Sequence, residues 1–271
     1  YFGESDPYLN HGICLGDCNE FDIENSKCEI ICCDKKEDIH DNERDVLLEW
    51  KRMLQRHQPD VIIGYNIFGF DWKFLCDRAS ELNCFGPSEY GDEGEWLCEI
   101  SKNRDTHSKR AEKTIKIASG EHNLTYLDMD GIIQIDLYNY FRREVNLSSY
   151  KLQNVASHFI GDMVKKWEVG TKTTKLYSGN LTGLQCENFV CFEMIGHSSD
   201  KYKDGAKFRV INMDEKTGIF TIEGVIHPDK DKKLRWGLGK DDIKVSDLFQ
   251  AFSETGTIAD RTKIARYCFQ D

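Results

Sequence analysis

The chain has 271 residues, with 47 Asp and Glu against 36 Lys and Arg and a formal charge of −11 at pH 7. That length allows one large domain or two small ones, and no apolar run approaches the roughly 20 residues needed to cross a bilayer. An odd count of 11 cysteines in a chain this long does not read as a disulfide scaffold, so a soluble protein of a reducing compartment is expected. The acidic excess is concentrated in residues 1–50, which carry fourteen acids against four bases, and the remainder is close to neutral. A nucleic-acid partner is therefore not excluded, because the distribution of charge matters more than its sum.

In chain order, residues 7–15 and 28–33 read as strands, the second around Ile30-Ile31-Cys32-Cys33. Cys14, Cys18, Cys28 and Cys32 lack the spacing of a zinc ribbon and read as free thiols. Asn42 is the expected N-cap of a helix over about 43–57, with Val46, Leu47, Trp50, Met53 and Leu54 as its apolar stripe. Pro59 stops it. Val61 to Ile63 is a β-branched run without alternation, as in a strand covered on both faces, and Gly64 ends it. Asp71 opens a second helix in which Trp72, Leu75, Ala79 and Leu82 share one face.

Residues 86–123 are polar and without period, which predicts a mobile surface excursion. Its basic stretch, Lys102, Arg104, Lys109, Arg110, Lys113 and Lys116, can track a phosphate backbone but on its own reads as a solvated loop. Leu124 to Asp128 and Ile132 to Leu137 flank Asp130-Gly131, a hairpin signal. Asp136 reads as an outward or helix-capping residue before a helix over 137–145. Ser148 or Ser149 caps the next helix, where Leu152, Val155, Ala156, Phe159 and Ile160 form a core face that Gly161 ends. Residues 162–240 read as a small β-rich insertion, with a hairpin turning at Glu215 to Gly218. The last helix starts near Thr257, with Asp260 completing a capping box. His107, His122, His158 and His197 lack ligand spacing, and Asp241-Asp242 reads as a surface turn.

The strand at Val61 to Ile63 delivers Asn66 and Asp71 to its carboxyl end, where open α/β sheets place their chemistry. Alone, Asp71 reads as a helix cap. Tyr267 and Asp271, however, lie four apart and share a helical face. A strand-end carboxylate and a distant carboxylate–tyrosine pair can meet in one site. Oxygen-only coordination of that kind suits two Mg²⁺ ions and phosphodiester hydrolysis, with the tyrosine hydroxyl orienting the attacking water.

Tyr65-Asn66, followed by Phe70-Asp71, resembles the second proofreading-exonuclease motif of family B DNA polymerases, and Tyr267 to Asp271 resembles the third. Gly131 to Asp136 and Ser149 to Val155 are similar to the delta-type segments between those motifs. Tyr1 to Asp6 and Trp236 to Asp242 are similar to polymerases of large DNA viruses of algae and protists. The resemblance implies an RNase H-like α/β exonuclease domain of the DEDDy type, a mixed sheet flanked by helices. It implies an exonuclease core over 1–161, a virus-type insertion over 162–240 and a C-terminal helical part over 241–271. By the same analogy Asp71 and Asp271 hold two Mg²⁺ ions, for which Mn²⁺ can substitute, and Tyr267 orients the water. Asn66 and Phe70 contact the frayed 3′ primer end, Phe70 by stacking on a base. Residues 96–128 occupy the place of a hairpin that helps part primer from template. The implied partners are DNA, the rest of a polymerase chain and a sliding clamp, without a membrane, in the host nucleus or a cytoplasmic viral factory.

The family's first motif, Asp-x-Glu on the central strand, is spelled by Asp22 and Glu24. The residues before Phe21 are polar and turn-like, whereas a central strand is apolar, so this match is read as a coincidence. The chain opens on Tyr1 and stops on Asp271 within a helical pattern, and the expectation is a fragment whose first motif and central strand lie upstream. Two other readings stand beside the polymerase segment. One is a free-standing exonuclease that uses Asp22 and Glu24, and the other is a non-catalytic interaction module.

Overall fold

The computed structural model describes residues 9–22, 27–87, 94–117, 120–239 and 243–270. The chain divides into two units, one of Tyr1–Asn146 with Thr257–Ala265 and one of Leu147–Gly256 with Arg266–Asp271.

In the first unit, β1 (Leu9–Leu15) runs parallel to β2 (Lys27–Cys33). Helix α1 (Ile39–His57) begins earlier than expected because Asp38 is its N-cap, accepting from the His40 N–H. Asn42 is buried one turn in, and its amide bonds both the N–H and the C=O of Lys36, at 2.8 and 2.9 Å, which closes the turn before the helix. Strand β3 (Val61–Gly64) leads into a π-helical turn (Ile67–Asp71) and then α2 (Trp72–Glu81).

The hairpin expected at Asp130-Gly131 does not form. Gly131 takes the positive φ of a turn, 82°, but the strands on either side pair elsewhere. Strand β4 (Lys109–Ile117) pairs antiparallel along its length with β5 (Gly120–Asp128), and β6 (Ile133–Asp136) pairs parallel with β3, from Val61 opposite Ile133 to Gly64 opposite Asp136. A hairpin thus does occupy much of 96–128, as the family resemblance implied, although periodicity gave no sign of it. Among the described residues the strands of this unit form three two-stranded sheets rather than one mixed sheet. Helix α3 (Leu137–Glu144) follows β6 directly.

Val61 and Ile63 are not covered on both faces. With Ile133 and Ile135 they form an exposed apolar face, since alternate residues of two parallel strands in register share one side. On the opposite face the partly buried Ile62 packs against a core cluster that includes Leu54, Trp72, Leu127 and Ile132. Residues 94–100 also depart from the mobile excursion expected. Leu97, Cys98 and Ile100 are buried, and Lys51, itself 1% exposed, bonds Glu95 at 3.1 Å and Glu99 at 3.0 Å. The Arg52 guanidinium helps hold the Glu95 carboxyl down to about 2. Three cations of the basic stretch pair with acids, Lys102 with Asp60, Arg110 with Asp77 and Lys116 with Glu121. All 11 cysteines are free, and burial pushes Cys33, Cys76 and Cys98 up to about 11, where a thiol is unreactive.

The second unit opens with α4 (Leu152–Phe159), whose Val155 is buried while Phe159 is exposed, so the expected core face is only partly core. Then come β7 (Gly161–Val169), β8 (Thr173–Ser178), β9 (Phe189–Ile195), β10 (Ser199–Lys201), β11 (Phe208–Asp214), β12 (Ile219–Glu223) and β13 (Lys233–Gly239). The hairpin read at Glu215 to Gly218 is β11–β12. The sheet order is β10-β9-β11-β12-β8-β7-β13, and β13 pairs with β9 as well. Six strands therefore close into a ring, which among the described residues leaves only β10 as an added edge. Leu176, Val190, Phe192, Val210, Phe220, Ile222 and Trp236 fill it, each wholly buried. A short helix α5 (Val245–Ala251) follows.

The last helix, α6 (Ile258–Gln270), has its capping box: the Thr257 hydroxyl accepts from the Asp260 N–H at 3.2 Å, and the Asp260 carboxylate accepts from the Thr257 N–H at 3.0 Å. Its first half belongs to the first unit. There Arg261 pairs with Asp17, and Thr262 accepts from the Asn19 N–H at 3.0 Å.

Candidate active site

The β3–β6 register sets out the site. It places Gly64 opposite Asp136 at the carboxyl ends of both strands. A Cβ on Gly64 would run into the Ile67 side chain, so the strand can turn here only without one. Two residues on, Asn66 takes the left-handed conformation, φ 62° and ψ 25°, which asparagine tolerates better than other non-glycine residues. The Asn66 carbonyl accepts from the N–H groups of Gly69 and Phe70, both at 3.0 Å. Gly69 lies under the Asn66 amide, where no Cβ would fit. The turn is closed by the Trp72 N–H, which bonds back to the Ile67 carbonyl.

Asp136 fastens this turn from the neighbouring strand. It is buried, and its two oxygens accept from the backbone N–H of Asn66 at 2.7 Å and of Phe68 at 3.1 Å. The Tyr138 N–H, at 3.0 Å, makes it the N-cap of α3 as well. The capping reading of Asp136 therefore holds and the outward one does not. Alternation along β6 turns Asp136 inward, opposite to the exposed Ile133 and Ile135. Sequence reasoning missed the reach to Asn66 because that contact depends on the parallel register of a strand some 70 positions away.

Asp71 ends the π-helical turn, directly before α2. Its side chain is open to solvent on one side, yet packing around the carboxyl raises its pKa above the usual carboxylate range, and the charge of Asp136 adds to that rise. A carboxylate held this way gains from a nearby cation. Phe70 is 62% exposed and Phe74 is 56% exposed, and their rings stack with centroids 6.0 Å apart and planes within 9°. Behind the turn, Tyr65 packs edge-on against Tyr138 at 5.8 Å, and burial raises its pKa.

Asn66, Phe70 and Asp71 are thus brought into one hydrogen-bonded turn. Tyr267 is half-buried on α6, in the part of that helix belonging to the second unit, and Asp271 lies outside the described residues. Asp22 is exposed in the irregular segment between β1 and β2, and Glu24 lies outside the described residues, as do Tyr1 to Asp6 and Asp241-Asp242. Among the described residues no three His, Cys, Asp or Glu side chains cluster as a metal site, and no helix is long and apolar enough to cross a membrane. The oxygen chemistry of Asp71 nevertheless fits one ligand position of a hard divalent cation.

Residues 1–155 match the family described as DNA polymerase family B, exonuclease domain. The chain is 36% identical over 235 residues to a DNA polymerase of Phaeocystis pouchetii virus, an alignment covering 84% of this chain and 22% of that protein. It is 33% identical over 271 residues to a DNA polymerase of Pyramimonas orientalis virus, covering 100% of this chain and 19% of the relative. A DNA polymerase delta catalytic subunit of Candida albicans is 29% identical over 187 residues, 64% of this chain and 16% of its own length. The chain therefore spans about a fifth of the length of its viral relatives. The turn built on Asn66, Phe70 and Asp71 lies inside the matched region, and the chain belongs to the family B DNA polymerases, whose exonuclease domain it carries.

Proposed function

We propose that this chain is the 3′–5′ proofreading segment of a viral family B DNA polymerase and hydrolyses the phosphodiester bond of an unpaired 3′ nucleotide. The observation that carries the reading is the Asn66–Asp71 turn within the family match. It presents a carboxylate of raised pKa beside two exposed, stacked aromatic rings. A flat aromatic surface accepts any base, as removal of any misincorporated nucleotide requires. In this reading Phe70 stacks on the terminal base, Asn66 contacts the strand, and Asp71 with Asp271 holds Mg²⁺. When bound, the two ions supply charge to the attacking and leaving oxygens of an in-line displacement. Tyr267 positions the water. Residues 1–161 and 241–271 form the exonuclease domain, and 162–240 is the virus-type insertion. The partners are the single-stranded primer end, the rest of the polymerase and a sliding clamp, at the intracellular site of viral replication.

The test is excision of a 3′ mismatch by the full-length polymerase. Tyr267→Phe should slow excision by about 10- to 100-fold through lost positioning of the water, and the Mg²⁺ concentration for half-maximal rate should not move. A large rise in that concentration would assign the tyrosine to metal binding, and a wild-type rate would remove it from the site.

A further inference from the structure

We propose that Asp136 is a positioning residue of the exonuclease, and that its carboxylate, carried by β6, fixes the turn that presents Phe70 and Asp71. The inference rests on the proofreading reading above and adds to it a residue from a different strand.

Its geometry separates three possible roles. A helix cap needs one bond to the first turn of its helix, and the Tyr138 N–H at 3.0 Å supplies that. The bonds to Asn66 and Phe68 are surplus to capping, and they land on the backbone N–H of the left-handed residue itself and on the N–H two positions on. A metal ligand needs free oxygen lone pairs. Here one oxygen takes the N–H groups of Asn66 and Tyr138, and the other takes Phe68 and, at 3.4 Å, the Asn139 amide. The carboxylate is 5% exposed and its acceptor positions are filled by donors. That leaves the role of a clamp. Asn66 at φ 62° is in a sparsely populated conformation. The residues at 64 and 69 are glycine and bring no side-chain bond to its backbone. Asp136 supplies that bond from a strand whose register with β3 is fixed by packing. The position of Asp71 is thereby tied to the sheet rather than to a free loop.

The test uses the full-length polymerase carrying Asp136→Asn, with Asp136→Ala beside it. Asparagine keeps the shape and one acceptor oxygen but turns an NH₂ toward one of the backbone N–H groups, so it loosens the turn without emptying the site. Single-turnover excision at saturating single-stranded DNA should fall by about 100-fold in Asp136→Asn, the scale of a small misplacement of reacting groups, and further in Asp136→Ala. The Mg²⁺ concentration for half-maximal excision, the synthesis rate and the melting temperature of Asp136→Asn should match the parent. Excision at the parent rate in Asp136→Asn overturns the proposal. So does a raised Mg²⁺ requirement, which makes Asp136 a ligand, and so does a joint loss of synthesis and melting temperature, which makes it a fold residue. The parent and Asp71→Ala serve as controls: if the parent does not excise, the proofreading reading fails first, on its own measurement.

Discussion

Asp71→Ala in the full-length polymerase should abolish excision of a mismatched 3′ nucleotide, by at least about 1000-fold, and leave synthesis intact. The magnitude is that of removing a fixed charge from a site where transition-state charge is stabilised. Because the substitution touches the end of a tightly bonded turn, unfolding must be separated from lost chemistry. The pKa of Asp71 is raised in the folded chain by burial. The folded state therefore holds that proton more tightly than the unfolded chain does, and the ionised carboxylate weakens the fold as pH climbs through and above the ordinary carboxylate value. Asp71→Asn should accordingly melt no lower than the parent at pH 7 while excising nothing. A variant that melts lower and excises in proportion to its folded fraction would make Asp71 a structural residue.

Trp236→Ala should destabilise the closed β-ring by about 3–5 kcal/mol, the usual range for emptying a buried aromatic site. Trp236 is wholly buried, packs on Phe220 with centroids 5.4 Å apart, and donates its indole N–H to the Ser178 hydroxyl at 2.9 Å. That hydroxyl in turn donates to Asp162 at 2.9 Å, and the Gly179 and Asn180 N–H groups reach the same carboxylate. Burial works to raise the Asp162 pKa, but a backbone bond from Met163 together with these bonds outweighs it and holds the group below the usual value. Trp236→Phe keeps one aromatic ring but loses the second ring of the indole and the bond, so its cost should be smaller, about 1–3 kcal/mol. Urea unfolding of this chain reads both. Equal, negligible shifts would mean that the ring does not depend on its centre. The closure of the ring also bears on trimming: residues 190–234 contain most of β9, all of β10 to β12 and the start of β13, so a cut there opens the ring.

What could be read in the sequence was local. The capping box at Thr257 and Asp260, the turn from Glu215 to Gly218 and the stripe of α1 each depend on residues within a few positions, and each is present. What could not be read depends on distant pairing. Asp130-Gly131 is a sound turn, but whether β5 and β6 then pair with each other is decided by the competing partners β4 and β3. The β9–β13 contact that closes the ring spans some forty residues and leaves no local mark. Residues 94–100 looked loose because their order comes in part from ion pairs of Glu95 and Glu99 to the buried Lys51 rather than from apolar period. In the candidate site, the turn that Asn66, Phe70 and Asp71 share was legible only as the motif they spell. Asp136, which holds them, was legible only as a cap.

We place the carboxylate of the candidate site at Asp71, at the end of the π-helical turn that follows β3, and not in the Asp-x-Glu spelled earlier in the chain. Asp22 is exposed and lies outside any strand of the described residues. The direct measurement is the rate of 3′-mismatch excision by the full-length polymerase carrying Asp22→Ala with Glu24→Ala, set beside that of Asp71→Ala. The double variant should excise at the parent rate and Asp71→Ala should not excise. Loss of excision in the double variant with synthesis intact, or excision by Asp71→Ala at the parent rate, would contradict this placement.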